Sequence, residues 1–249
     1  MPQNNPIITI ITVVYNSATT LRATIESVVS QLSDHVEYII IDGGSTDGTQ
    51  DIIKAYEGAL AYWLSEPDHG IYDAWNKGLS CAAGKYIGFI GGDDLLLPGS
   101  LSAYITNIGK YPEIEYWSSK VALGHLEGRI IGKPWSWSSF RRYMAVAHVG
   151  SLHRRDLYDR LGIYDVTYRI AGDYEFLLRA GSSLKAGFID KVTVIMGDGG
   201  VSNRFVKQTL IETSRAKFER GVGSIMSIRL QFYFAFAKSK ARWLLSSFI

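Results

Sequence analysis

Residues 7–14, "IITIITVV", form an unbroken run of β-branched side chains. A strand with one solvated face alternates apolar and polar positions. A run without alternation predicts a strand buried on both faces, as in a parallel sheet. Polar "YNSATT" follows, and then Leu21, Ile25, Val28 and Val29 fall at helical spacing. "VEYIIID" (36–42) predicts a second buried strand, "GGSTDGT" a turn and "QDIIKAY" a helix. "AYWLSEP" predicts a third strand, "GIYDAWNKGLSCAA" a helix closed near Gly84, and "KYIGFI" a fourth strand. Four strand–helix alternations within about ninety residues are the pattern of a doubly wound, mostly parallel α/β sheet.

After Pro98, where a further helix is expected to open, the alternation weakens. "EYWSSKVALGHLEGRIIGK" predicts two strands joined through Gly124 or Gly128, and "RDLYDRLGIY" and "GDYEFLLRAG" predict short helices. No repeat or low-complexity linker interrupts the chain. The expected organisation is one domain over 1–221, with a regular half (1–98) and a less regular half (99–221). A helical tail over 222–249 follows.

The 249 residues carry a net charge of only +2, unevenly spread. From Asn203 onward nine Lys and Arg face two acids, +7, which leaves −5 for residues 1–202. After Glu219 the chain holds Arg220, Arg229, Lys238, Lys240 and Arg242 among Phe232, Tyr233, Phe234, Phe236, Trp243, Leu244, Leu245, Phe248 and Ile249. Its apolar run is too short to span a bilayer, and a basic helix of this kind suits the interface of an anionic membrane. This asymmetry does not suggest a nucleic-acid-binding body. Cys81 is the single cysteine, which excludes an internal disulfide and a cysteine zinc site. The N-terminus lacks the basic and apolar regions of a signal peptide, so a cytoplasmic protein is expected.

In open α/β sheets, ligands bind beyond the carboxyl ends of the strands. Those ends hold Tyr15 and Asn16, Asp42 to Asp47, Glu66 to His69, and Gly91 to Asp94, with many carboxylates and few cations. Asp93 and Asp94 are adjacent like charges at a strand end with no Lys or Arg nearby, which implies a solvated turn or a cation arriving with a ligand. Such an edge suits a nucleotide whose phosphates are bridged by a divalent metal. "YNSATT" has no glycine where a dinucleotide fold needs G-x-G-x-x-G, and no P-loop occurs.

With these stretches assembled, the chain resembles glycosyltransferase family 2, with the GT-A fold, from about Ile7 to Ser202. The resemblance rests on "TVVYNS", "IIIDGGSTDGT", "SEPDHGIYDAWNKGLSCAAGKYIGFIGGDD" and "YRIAGDYEFLLR", in that order. The third segment is similar to one in bacterial O-antigen, capsule and exopolysaccharide transferases. The family's D-x-D stands here as Gly-Asp-Asp, and its Glu-Asp base motif as Gly172-Asp173.

The resemblance implies Asp94 as ligand to Mg²⁺ or Mn²⁺ and Asp93 as a contact to ribose or a support behind the metal ligand. Asp42 would accept a ring N–H from uracil or thymine; its other reading is an Asx turn. Tyr15 would stack on the base beside Val13 and Asn16, and Asp73 and Asn76, three apart on a helix, would touch the nucleotide or tie the helix to the loop after the second strand. Asp173 is the expected general base, with a helix-cap role also open. Trp135, Trp137, Arg141, Arg142 and His148 are candidates for the acceptor side. The implied activity is inverting, metal-dependent transfer from a nucleotide sugar, of the UDP class, to a lipid-linked saccharide at the inner face of the membrane. The competing reading is a catalytically idle nucleotide-sugar-binding partner of a polysaccharide assembly.

Overall fold

The computed structural model describes residues 6–197 and 205–246, with side chains to residue 241. The first half runs β1 (Ile8–Val14), α1 (Leu21–Val29), β2 (Val36–Asp42), α2 (Thr49–Ala55), β3 (Tyr62–Ser65), α3 (Ile71–Cys81) and β4 (Tyr86–Gly91). These are the elements the hydrophobic pattern predicts. The second half runs β5 (Leu95–Leu96), α4 (Ser100–Lys110), β6 (Tyr116–Leu123), β7 (Ile130–Ile131), α5 (Trp137–Phe140) and β8 (Ser151–Arg154). It closes with α6 (Asp156–Leu161), α7 (Gly172–Ala180), β9 (Ala186–Met196), α8 (Val206–Glu219) and α9 (Ile225–Ser246).

One mixed sheet has the strand order β3-β2-β1-β4-β8-β6-β9-β5, with β7 paired to β6. β1 lies parallel between β2 and β4, and β8 is antiparallel to both β4 and β6. β1 explains its own sequence. Ile10 packs on one face with Ile25 of α1, Ile53 of α2 and Tyr104 of α4. Ile11 packs on the other with Trp75 of α3, Leu157 of α6 and Phe176 of α7. Both pleat faces are therefore apolar, and no alternation survives.

The register sets the ligand edge. Val14 lies opposite Asp42, Val13 opposite Gly91, and Asp42 opposite Ser65, so three strands deliver their loops at one level.

The expected pair of strands in 115–133 forms as β6 and β7, while β5 and the long β9 carry no comparable signal in the sequence. β9 runs parallel to β6 with a shifted register at Ser119–Val121, and its far end pairs with Leu95 and Leu96 directly after Asp94. That pairing brings Gly197 to the Asp93–Asp94 turn, which no local pattern foretells.

Two positive-φ glycines, Gly221 and Gly223, separate α8 from α9. Lys217 of α8, nearly fully buried, donates to Gln231 of α9 and to the Arg142 carbonyl. No helix among the described residues is long and apolar enough to cross a membrane. Within the aromatic tail, the side chains of Arg242, Trp243, Leu244, Leu245, Phe248 and Ile249 lie outside the described residues.

Candidate active site

At the carboxyl edge of the sheet an open cavity of about 710 Å³ is walled by the β1 exit (Val13 to Ser17), by α3 and by the turn after β4. Its floor is tied down by side chain–backbone bonds. Ser45 Oγ accepts from the Asn16 N–H at 2.7 Å, and Asn16 Oδ1 accepts from the Thr46 N–H at 3.0 Å. Thr49 Oγ1 accepts from the Ser17 N–H at 2.8 Å, and Asp47 accepts from the Ala18 N–H at 3.0 Å. The turn "GGSTDGT" thus holds the β1 exit in place, and Asn16 adopts a positive φ of 49° to meet it. Asn is among the few side chains that tolerate this conformation.

Of the residues expected at the nucleotide, Val13, Tyr15, Asn16 and Asp93 line the cavity, as does Asp94, the expected metal ligand. Tyr15 is 65 % exposed, so its ring face is open. Asp42 is elsewhere. It is fully buried and accepts from the Ser45 N–H at 3.0 Å, from the Ser45 hydroxyl and from the Ser65 hydroxyl at 2.6 Å. It closes an Asx turn, the other reading of this residue, and ties β2 to β3, with both oxygens engaged within the protein.

A different carboxylate comes to this edge. Asp68 approaches Gly43 so closely that a Cβ there would lie 2.4 Å from its Oδ2 and 3.5 Å from the Tyr15 ring. Asp68 Oδ1 accepts from the Gly70 N–H at 2.8 Å. The contact needs glycine at 43, and "DGGS" is the signal that sequence reasoning could have used.

Asp93 and Asp94 diverge. Asp94 is buried, and its two oxygens accept from the Gly91 N–H at 2.7 Å and the Gly197 N–H at 2.9 Å. Burial pushes its carboxyl up to about 6, the two backbone donors pulling against that and the Asp93 charge adding to it. Asp93 is exposed, and no described residue donates to its oxygens. The two neighbours therefore differ in what they leave open, although both line the cavity. Asp94 braces the turn against β9, and Asp93 offers the open carboxylate. Gly197 is demanded by this arrangement, since a Cβ there would sit 2.3 Å from Asp93 Oδ2.

On α3, Ile71 and Trp75 line the cavity, one turn apart on the same face. Trp75 stacks on Phe89 at 4.6 Å and on His148 at 4.5 Å between ring centroids. Asp73 and Asn76 point elsewhere. Asp73 accepts from the His69 N–H at 2.9 Å. Asn76 makes a two-bond pair with the Tyr164 backbone at 2.9 and 3.0 Å. Asn76 ties α3 to the Tyr164 segment, and Asp73 ties it to the loop that leads into it.

Tyr72, just before Asp73, donates to Asp173 Oδ1 at 3.3 Å, and the Tyr174 N–H donates to the same oxygen at 2.8 Å. Asp173 stands in the first turn of α7, and burial pushes its carboxyl up to about 6. Gly172 beside it is enforced by Tyr72, whose ring atoms would lie 2.8 Å from a Cβ. Glu175 is fully buried and ion-paired with Arg179 and Arg220, so it has no free oxygen for proton transfer.

The acceptor-side candidates separate. Trp135 packs on Phe140 and Tyr116, and Trp137 is partly buried against the same core. Arg141 and Arg142 are exposed. Both ring nitrogens of His148 are enclosed without partners, and burial pushes its pKa down to about 3. Burial thus favours the neutral ring of His148, which stacks on Trp75 and Phe89.

The sequence profile of "Glycosyl transferase family 2" matches residues 9–125. An uncharacterized glycosyltransferase of Mycobacterium tuberculosis is 34 % identical over 186 residues, 70 % of this chain and 69 % of that one. A PGL/p-HBAD biosynthesis glycosyltransferase of Mycobacterium bovis is 29 % identical over 220 residues, 83 % of each chain. Among solved structures, residues 1–349 of Staphylococcus aureus TarS in complex with UDP-GlcNAc superpose with a TM-score of 0.70 at 16 % identity, covering 92 % of this chain and 72 % of that one. The mannosyltransferase of Pyrobaculum calidifontis in complex with GDP-Man and Mn²⁺ gives 0.64 at 17 % identity, covering 97 % and 79 %. The curled mixed sheet with its helices has the GT-A form of these neighbours. Order of motifs, fold and sequence relatives agree, and the chain belongs to glycosyltransferase family 2.

Proposed function

We propose that this glycosyltransferase moves a sugar from a nucleoside diphosphate donor of the UDP class to a hydroxyl of a lipid-linked saccharide, in a single displacement with inversion. The observation that carries the reading is the division between two carboxylates. Asp93 stands open on the donor cavity, whereas burial raises the Asp173 carboxyl to about 6 while Tyr72 of α3 donates to its Oδ1. A carboxyl with a pKa near 6 is suited to accept a proton at neutral pH.

Tyr15 would stack on the base, and Asp68 would take its ring N–H beside Gly43. Asp93 fits a divalent ion, Mg²⁺ or Mn²⁺. Its oxygens have no donor among the described residues, and a Cβ-free Gly197 lies against them. No cluster of three metal-ligating side chains exists among the described residues, so the remaining ligands would be donor phosphates and water. When bound, the ion neutralises charge developing on the leaving diphosphate. Asp173 would receive the acceptor's proton. The family neighbours whose titles name UDP-GlcNAc, or GDP-Man with Mn²⁺, support a nucleotide-sugar donor and a divalent ion.

The lipid-linked acceptor is supported by α9. Met226, Leu230, Tyr233 and Phe234 stand exposed on it, together with Arg229, Lys238 and Lys240. Each basic residue near an anionic surface contributes about 1 kcal/mol. Peripheral attachment to the inner face of the membrane would hold the enzyme beside an acceptor that stays in the bilayer.

The test is a screen of UDP-, dTDP- and GDP-sugars for slow hydrolysis with Mg²⁺ or Mn²⁺, followed by lipid-diphosphate-linked sugars as acceptors. Metal-dependent turnover of one donor, lost in Asp173→Asn, is the expected result. Donor binding without turnover on any acceptor would favour a binding partner instead.

A further inference from the structure

Glu212 of α8 is 4 % exposed, yet no Lys or Arg among the described residues pairs with it. Its carboxylate is held by three consecutive backbone N–H groups. Arg169 donates at 3.1–3.2 Å, Ile170 at 2.8 Å and Ala171 at 3.0 Å, with Gln208 Nε2 adding a bond at 3.1 Å. Successive N–H groups pointing one way make an anion-binding concavity, and these three lead directly into the first turn of α7. Two residues on stands Asp173.

We propose that Glu212 is a positioning residue for catalysis, fixing the 169–171 backbone so that α7 presents Asp173 to the acceptor hydroxyl. The proposal rests on the reading of Asp173 as the general base. Without Glu212, the three N–H groups would have no acceptor inside the fold, and the entry to α7 would be free to re-orient. That entry is tightly constrained. A Cβ on Gly172 would strike the Tyr72 ring, and Arg169 Nη1 lies so near Gly70 that a Cβ there would be 2.7 Å away. One carboxylate therefore holds a segment whose two ends both touch the start of α3, the helix that lines the donor cavity.

Glu212 also supplies charge. The titratable groups that shift Asp173 are Tyr72 on α3 and Glu212, while Tyr116 on β6 and Tyr164 ahead of α7 feel its charge. Burial pushes all three tyrosines far above neutrality, so they stay uncharged through the working range. After burial itself, Glu212 is the charge that favours the protonated form of Asp173.

The experiment is Glu212→Gln in the full chain, read by donor KM, kcat, the acid limb of the kcat/KM–pH profile and thermal melting. The expected result is a donor KM within about twofold, kcat lowered at least about tenfold, and the acid limb moved to lower pH. Unchanged kcat overturns the proposal. So does a lower kcat with the acid limb unmoved, because a purely structural support would act that way. If Glu212→Gln fails to fold, Gln208→Ala keeps the carboxylate and removes only its side-chain tether. It is then expected to lower kcat about two- to threefold at constant KM, and no change would overturn the proposal. Asp173→Asn separates the two readings. If it is inactive and Glu212→Gln behaves like wild type, only the positioning role fails. If Asp173→Asn stays active, the base is elsewhere and both fail.

Discussion

Tyr72 and Asp173 lie 101 residues apart in sequence, and their side chains meet at 3.3 Å, Tyr72 Oη donating to Asp173 Oδ1. The bond joins the helix that walls the donor cavity to the helix that carries the expected base. It also stabilises the ionised carboxylate, opposing the burial that raises its pKa. Tyr72→Phe is therefore expected to move the acid limb of kcat/KM to higher pH with donor KM nearly unchanged. A pH–rate series on the two proteins measures it, and a limb that stays in place or falls removes the link.

Asp173→Asn is expected to lower kcat at least about a hundredfold while leaving donor affinity within a few-fold. In the wild type, activity should rise with pH through about 6, as the carboxyl loses its proton and becomes able to accept one. The stability consequence has the opposite sense. Because the folded pKa lies above the unfolded value of 3.8, the native state binds more protons between those values, so Asp173's contribution to stability falls as pH rises from about 4 to 6. Chemical denaturation of wild type and Asp173→Asn at pH 4 and 7 tests this. The variant should be relatively more stable at pH 7.

Asp93→Ala and Asp94→Ala should fail differently. Asp93→Ala is expected to abolish metal-promoted donor binding with an unchanged melting temperature. Asp94→Ala leaves the Gly91 and Gly197 N–H groups without an acceptor and should cost about 2–4 kcal/mol of stability. Calorimetric titration of donor with Mn²⁺, beside thermal melts, separates the two. Equal loss of stability in both variants would contradict the division.

Asp42→Ala and Asp68→Asn make a second contrasting pair. Asp42→Ala strands the Ser45 N–H and two hydroxyls and is expected to destabilise the fold by roughly 2–4 kcal/mol. Asp68→Asn is expected to leave stability alone and weaken UDP binding about tenfold, since its amide offers a different face to the base. Nucleotide titration on Asp68→Asn decides whether this carboxylate reads the base.

For α9, replacing Met226, Leu230, Tyr233 and Phe234 together by serine should release the protein from anionic vesicles while donor hydrolysis persists. Deleting the helix is a poorer test, because Lys217 would lose its Gln231 partner inside the fold. Equal cosedimentation of the serine variant with phosphatidylserine vesicles would place the contact surface elsewhere.

The regular half of this protein was legible in its sequence because its determinants are local. "IITIITVV" must be buried on both faces, and the spacing of Leu21, Ile25 and Val28 suits only a helix. The carboxyl ends of those strands could then be named as the ligand edge, and Tyr15, Asn16 and Asp93 were found there. Direction within that edge was not legible. Asp42 and Asp94 look like open ligands in the sequence, yet besides their local donors Ser45 and Gly91 each meets one from far along the chain, Ser65 and Gly197. Asp68 and Glu212 matter for the same reason. One reaches the edge because Gly43 lacks a Cβ, the other because α8 folds back over the entry to α7. Hydrophobic periodicity reports which face of an element is buried. Which carboxylate stays free depends on which donors distant segments bring to it, and only the packing of β9, α3 and α8 decides that.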